Sequence, residues 1–145
     1  MDDFEDSARR ATSQDLDTVV GLDRESFVDQ DRGPLLAARL QSGDVILLER
    51  DGRALGYAVV RPHSFFGRDF LEILVVARDE RRRGAGCFLL NLAVSLSSTE
   101  RIFTSTNRSN FPMTALLEKQ GWRLSGQLEG IDDEDPELVY YQDSW

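Results

Sequence analysis

The sequence predicts an α/β fold, a mixed sheet with helices on its faces, in a single domain of 145 residues. Three observations lead there. Aliphatic runs of strand length alternate with segments whose apolar residues recur at helical spacing. Asp51-Gly52 stands between two apolar runs, which is a strong hairpin signal. A strand-like run, Phe70 to Ala77, passes through a glycine-containing turn directly into an apolar segment of helical length that begins at Cys87. No repeat, low-complexity tract or interdomain linker interrupts the order, and the length suits one domain with a proper core.

Taken in order, Ala8 to Thr12 is a short strand candidate, and Ser13 is placed to cap a helix running to about Phe27 with Leu16, Val19, Val20 and Phe27 on one side. Pro34 suits the first turn of a second helix, Leu35 to Gln41, which Gly43 ends. Val45–Leu48 and Leu55–Val60 form the hairpin around Asp51-Gly52, and Pro62 to Arg68 reads as a loop with exposed aromatics. After the strand at 70–77 and the helix at 87–94 come a strand at Ile102–Thr106 and a turn from Asn107 to Pro112. That turn leads into a helix ending near Gln120, with Gly121 as its stop. Trp122–Glu129 and Leu138–Gln142 make a final hairpin, joined by the acidic loop Asp132-Asp133-Glu134-Asp135-Pro136.

The run between strand and helix, Arg81-Arg82-Arg83-Gly84-Ala85-Gly86, carries the clearest chemistry. A turn of this kind aims backbone N–H groups and the positive end of a helix dipole at one point, where phosphate commonly sits. Gly84 and Gly86 let the main chain approach a ligand without a Cβ in the way, and the arginines add fixed positive charge with bidentate donors. A P-loop would need Lys-Ser/Thr after its last glycine, where this chain has Cys87-Phe88. A dinucleotide fingerprint would need a small third residue, where it has Leu89. A tight turn with a solvated basic patch is the plainer alternative.

Composition narrows the partners. A net charge of -9 argues against nucleic acid or an anionic membrane as the main partner and makes the three arginines a local basic site. One cysteine excludes an internal disulfide and suits a reducing compartment, and one histidine with one cysteine offers no thiolate or imidazole metal cluster. No apolar run approaches the roughly 20 residues that span a bilayer. The acidic start, Asp2 to Asp6, is unlike a basic leader. A cytoplasmic protein without a metal is the expectation.

The spacing Arg81-x-x-Gly84-x-Gly86 after a strand resembles the acyl-CoA-binding signature of the GNAT superfamily of N-acyltransferases. A second segment, Asn110 followed by Leu117-Glu118-Lys119-Gln120-Gly121-Trp122, resembles that superfamily's Asn-then-Tyr-Glu-Lys-x-Gly-Phe motif, and Gly56 stands where members often carry a glycine. The resemblance covers nearly the whole chain. It implies a mixed, predominantly antiparallel central sheet flanked by helices, in the order β-α-α-β-β-β-α-β-α-β-β. It also implies acetyl-CoA as cosubstrate, with the pyrophosphate on Arg81, Arg82, Arg83, Gly84, Ala85, Gly86 and Cys87 and the pantetheine arm along Leu74, Val75 and Val76. Asn110 would be directed at the same ligand, its alternative being a helix N-cap. The expected partners are acetyl-CoA and an amine acceptor, a cationic one if the acidic loop attracts it; a homodimer is left open.

Glu72 is the first candidate for a general base. It is the one charged residue within 70–77, and the resemblance places it where some members carry a base glutamate. The alternative is a carboxylate at a strand edge that faces solvent or pairs with Arg68. Tyr140 and Tyr141 are further proton-handling candidates, and alternation along a strand turns one of them into the core. His63 reads as a surface residue, Cys87 as a small packing residue, and Phe65, Phe66 and Phe70 as an acceptor pocket or a plug for the end of the sheet. Leu117 occupies the position at which members commonly carry a tyrosine that protonates the departing thiolate, and leucine cannot donate a proton. Two functions follow: an acetyl-CoA-dependent N-acetyltransferase acting on a primary amine in a ternary complex, or a non-catalytic acyl-CoA-binding or interaction module on the same fold.

Overall fold

The computed structural model describes residues 8–81 and 83–145. Arg82 therefore lies outside the described residues. The seven strands are β1 (Ala8–Arg10), β2 (Val45–Arg50), β3 (Arg53–Phe65), β4 (Arg68–Val76), β5 (Arg101–Asn107), β6 (Arg123–Leu128) and β7 (Glu137–Asp143). The helices are α1 (Leu16–Ser26), α2 (Gly33–Ser42), α3 (Ala85–Leu96) and α4 (Phe111–Lys119). The element order is the expected one, and the sheet order is β1-β2-β3-β4-β5-β7-β6. β1 with β2, β2 with β3, β5 with β7 and β6 with β7 run antiparallel, whereas β4 and β5 run parallel.

The chain divides into two compact units, Met1–Val60 with Ile73–Ala93, and Arg61–Glu72 with Val94–Trp145. In the first, Val19, Leu22, Leu36 and Leu40 from α1 and α2 pack on Val45, Leu47, Tyr57, Val59, Ile73 and Val75 of the strands. Leu55 to Val59 are all buried, so β3 is covered on both faces here. Gly56 explains how the second face closes: a Cβ at that position would stand 2.6 Å from the Val75 carbonyl oxygen and 3.1 Å from Leu89 Cδ1 of α3. Asp51 and Gly52, at φ 53° and 78°, make the tight turn between β2 and β3. Asp23, 2% exposed, ties α1 to α2 and β3 by accepting from Arg32 Nη2 at 2.6 Å, Arg32 Nε at 3.0 Å and the Tyr57 hydroxyl.

In the second unit, Ile102 and Thr104 of β5 are buried with Leu117 of α4, Trp122 and Tyr140. The residue that organises its first segment is Asp69, buried at 2% exposure. Its carboxylate accepts from the His63 amide at 3.0 Å, the Ser98 amide at 2.7 Å and the Ser98 hydroxyl at 2.9 Å. Burial pushes this carboxyl up, but the Ser98 and His63 amides outweigh it and hold the group below its ordinary value.

Three boundaries differ from the sequence expectation. Residues 62–65 belong to β3, leaving only the Phe66-Gly67 turn before β4. Pro62 and the left-handed His63 are tolerated because the His63 amide bonds to the Asp69 carboxylate instead of to a ladder carbonyl. Thr12, not Ser13, caps the first helical turn: its hydroxyl accepts from Gln14 N at 3.3 Å while Asp15 accepts from Thr12 N at 2.8 Å. α3 begins at Ala85, so Gly86 is its second residue, a helical one, and Gly84 supplies a left-handed residue at φ 95°.

Candidate functional site

The cofactor-loop candidates sit between β4 and α3. Leu74 and Val76 are half-buried and Val75 is buried, as a strand in a covered sheet requires. β4 ends where Ala77 N donates to Leu55 O at 2.8 Å, and a 3-10 turn, Arg78–Glu80, then leads to Arg81. Three arginines fix this turn. Arg78 binds Glu25 twice, through its amide (2.7 Å to Oε1) and its guanidinium (3.0 Å to the main-chain oxygen). Arg53 bridges Glu80 at 2.9 Å and also reaches Asp79. Arg81 Nη2 donates to Ser26 Oγ at 2.8 Å. The lead into the glycine turn is thus pinned to the end of α1, and no sequence signal marks Glu25 or Ser26 for that task.

Phe88 N donates to Gly84 O at 2.9 Å in the first turn of α3. The amides of Ala85, Gly86 and Cys87 stand ahead of that bond and lack acceptors within the helix. Arg81, Arg83 and Gly84 are exposed, Ala85 is buried, and Gly86 and Cys87 are half-buried. An exposed glycine turn with two flanking guanidiniums, opening a 12-residue helix, has the donors that a pyrophosphate needs. Cys87 is a free thiol to which Asn91 Nδ2 donates at 3.5 Å.

The remaining candidates lie in the second unit. Glu72 is half-buried on β4, on the opposite face from the buried Leu71 and Ile73. Arg68 pairs with Glu100 at 3.4 Å. Of the two tyrosines, Tyr140 is the one turned inward, at 2% exposure, and its hydroxyl lies 3.2 Å from Glu118 Oε2 on α4. Burial, then the bond to Glu118, raises its pKa. Tyr141 faces the other way, packed on Phe103 with centroids 5.6 Å apart and beneath the guanidiniums of Arg101 and Arg123. Asn110 caps α4, its Oδ1 accepting from Met113 N at 3.3 Å. Leu117 is fully buried.

His63 is exposed, with Nδ1 3.2 Å from Gly67 O. Asp132 to Glu134 of the acidic loop are exposed and Asp135 is half-buried. Asp135 bonds Ser109 through its amide and hydroxyl, and Asp132 accepts from Asn107, so this loop is fastened to the segment that precedes α4. No helix is long and apolar enough to cross a membrane, and no group of three metal-ligating side chains occurs among the described residues.

The model of the acetyltransferase (GNAT) family matches residues 6–122. Over an alignment of 76 residues that covers 49% of this chain, the sequence is 30% identical to GCN5-related N-acetyltransferase 6, chloroplastic, of Arabidopsis thaliana. That stretch spans only 26% of the plant protein. Among solved structures, a GNAT-family acetyltransferase of Bacillus cereus superposes with a TM-score of 0.87 at 30% identity, over 94% of this chain and 95% of that one. The structure of yncA from Salmonella typhimurium with its cofactor acetyl-CoA shares the fold at a TM-score of 0.78 and 15% identity, covering 96% and 94% of the two chains.

Proposed function

The chain belongs to the acetyltransferase (GNAT) family, and from that premise we propose that it is a single-domain, acetyl-CoA-dependent N-acetyltransferase that acts on a primary amine by direct attack in a ternary complex. The observation that carries this reading is the exposed Gly84 turn opening α3, preceded by Arg81 pinned to Ser26, whose helix-start amides and flanking guanidiniums suit a pyrophosphate. In this reading Arg81, Arg82, Arg83 and the amides of Gly84 to Cys87 hold phosphate. Leu74, Val75 and Val76 support the pantetheine arm, and Asn110, besides capping α4, adds a polar contact. Bound acetyl-CoA supplies the thioester and a thiolate leaving group.

Glu72 takes a proton from the ammonium form of the acceptor. A lysine-like amine costs about 4–5 kcal/mol to deprotonate at pH 7, so a base at this point matters. The neutral nitrogen forms a C–N bond to the acetyl carbon as the C–S bond breaks, the nitrogen sheds its second proton to solvent, and the departing thiolate takes up a proton. With leucine at 117, that proton comes from solvent or, less readily, from Tyr140, whose raised pKa weakens it as an acid. Tyr141 lines the acceptor side. A cytoplasmic protein without a bound metal, active alone or as a homodimer, completes the reading. The buried Leu117 also favours a second one, a non-catalytic acyl-CoA-binding module.

Free-thiol release from acetyl-CoA with a panel of amines separates the two. Glu72→Gln keeps shape while removing basicity, so turnover at pH 7 should fall by roughly 10²–10⁴-fold with acetyl-CoA affinity intact. The deficit should narrow as pH rises, because more of the amine is then neutral unaided. Near-normal turnover of the variant at pH 7 would remove Glu72 from the mechanism.

A further inference from the structure

One face of the second unit is built of rings. The parallel register of β4 with β5 sets Phe70 beside Phe103, and the antiparallel register of β5 with β7 sets Phe103 beside Tyr141. Three successive strands thus present one ring each on the same face. Phe65 adds a fourth, stacked on Phe70 at 5.1 Å and 21° and also 5.1 Å from Phe103. Phe66, 93% exposed, meets Phe65 edge-on at 5.0 Å.

These rings are not the core of their unit. α4 packs on the opposite face, where Tyr140 meets Glu118 and Gln142 Nε2 donates to Gln120 O at 3.2 Å. Phe65, Phe70, Phe103 and Tyr141 all stay half-exposed. Charge along the ring face is polarised. Glu72 follows Phe70 on the same side of β4, about 7 Å along the strand. Glu137, opposite Asn107 on β7, accepts from Ser105 Oγ at 2.8 Å. The Tyr141 end is closed by Arg101 and Arg123, both paired with Asp143. The carboxylates Glu72 and Glu137 thus stand toward one end of the face and the two guanidiniums at the other, with the rings between them.

We propose that the acceptor is a primary amine joined by a short chain to a flat apolar body, the body lying on Phe65, Phe70 and Phe103 and the amine reaching Glu72. This rests on the acetyltransferase reading above and narrows it. A linear polyamine matches the face poorly, since among the described residues no carboxylate stands between the rings to meet a second ammonium group. Phe70 and Phe103 are then specificity-determining residues.

The test uses the full chain with phenethylamine, propylamine, spermidine and a short peptide beginning with phenylalanine, following thiol release. Phenethylamine should exceed propylamine and spermidine in kcat/KM by about tenfold or more, the discrimination expected of a well-fitted ring surface. Phe70→Leu and Phe103→Leu keep apolar bulk but remove the rings; they should raise the phenethylamine KM and collapse its advantage over propylamine. The peptide arm separates sources of the same chemistry: a peptide preferred over phenethylamine assigns the face to a polypeptide N-terminus, and the reverse to a small amine. Spermidine or propylamine matching phenethylamine, or leucine variants with unchanged selectivity, would overturn the proposal. If no amine is acetylated, the enzymatic reading fails separately, and calorimetry decides the ring face: phenethylamine binding that Phe103→Leu abolishes supports it, and no binding refutes it. A dimer in sedimentation that Phe66→Ser dissociates, with amine selectivity unaltered, would give the face to a second copy and refute it as well.

Discussion

Gly56→Ala tests how the first unit sets the strand that leads to the proposed cofactor loop. In isolation the change should help, since alanine is favoured over glycine within a strand by roughly 0.5–1 kcal/mol. The surroundings reverse the sign. The new Cβ would stand 2.6 Å from the Val75 carbonyl oxygen, 3.3 Å from Val76 Cα and 3.1 Å from Leu89 Cδ1. Two of these neighbours are backbone, so relief requires displacing β4, whose end is fixed by the bond from Ala77 N to Leu55 O. Overpacking of this kind costs about 1–3 kcal/mol, and the backbone obstacle argues for the upper half of that range. After subtracting the propensity gain, the net loss is about 1–2.5 kcal/mol, or a fall in Tm of roughly 2–10 °C for a chain of this size. Gly21→Ala is the control: it lies in α1 with nothing within 4 Å of its would-be Cβ, and should gain up to about 1 kcal/mol. Thermal and urea unfolding followed by circular dichroism measure both. A Gly56→Ala protein as stable as the parent would show that β4 can yield at Val75, and the account of glycine at this position would be wrong.

Three further outcomes are expected. Gly86→Asp puts a carboxylate in the first turn of α3, where the helix dipole favours it, so Tm should hold while calorimetric affinity for acetyl-CoA falls at least tenfold; unchanged affinity would move the phosphate site elsewhere. Asn110→Asp should keep the cap on α4 yet weaken acetyl-CoA binding, whereas Asn110→Ala should cost about 1 kcal/mol of stability as a lost cap; an Asp variant that binds normally confines Asn110 to capping. Asp69 has a folded-state pKa below its unfolded value, so its contribution is present above about pH 4 and is lost as pH falls through the lower, folded value. Asp69→Asn should lower Tm at pH 7 and flatten the acid limb of the Tm profile, and parallel profiles would refute that role.

Much of this arrangement is legible in one dimension because the elements are regular. The Asp51-Gly52 turn, the Pro34 start and Gly43 stop of α2, and the Asn110 cap each act locally, so local sequence reports them. What escapes are contacts closed by distant residues. Residues 62–65 read as loop because Pro62 and Gly67 are turn formers, yet a carboxylate six residues on from His63 supplies the acceptor that extends β3. Alternation says that one of Tyr140 and Tyr141 is buried, but only register says which: Tyr140 stands opposite the buried Thr104. Phe103 is an unremarkable strand residue until pairing puts Phe70 and Tyr141 on either side of it.

The same reasoning bears on the missing tyrosine. A side chain at 117 faces a fully buried environment, where a hydroxyl would need a partner and a leucine needs none. The hydroxyl that meets α4 comes from across the sheet, from Tyr140, and it lands on Glu118, one residue beyond Leu117. Its pKa is raised chiefly by burial, which disfavours the phenolate, so the group stays protonated near neutrality and is a weaker acid than an exposed tyrosine. Glu72 sits on the opposite side of its strand from the buried core residues Leu71 and Ile73, a position open to an acceptor. The proposed chemistry therefore divides its proton traffic by environment. The half-exposed carboxylate suits removal of a proton from the incoming amine, whereas the raised pKa of the buried phenol weakens it as a donor and leaves solvent to protonate the departing sulfur.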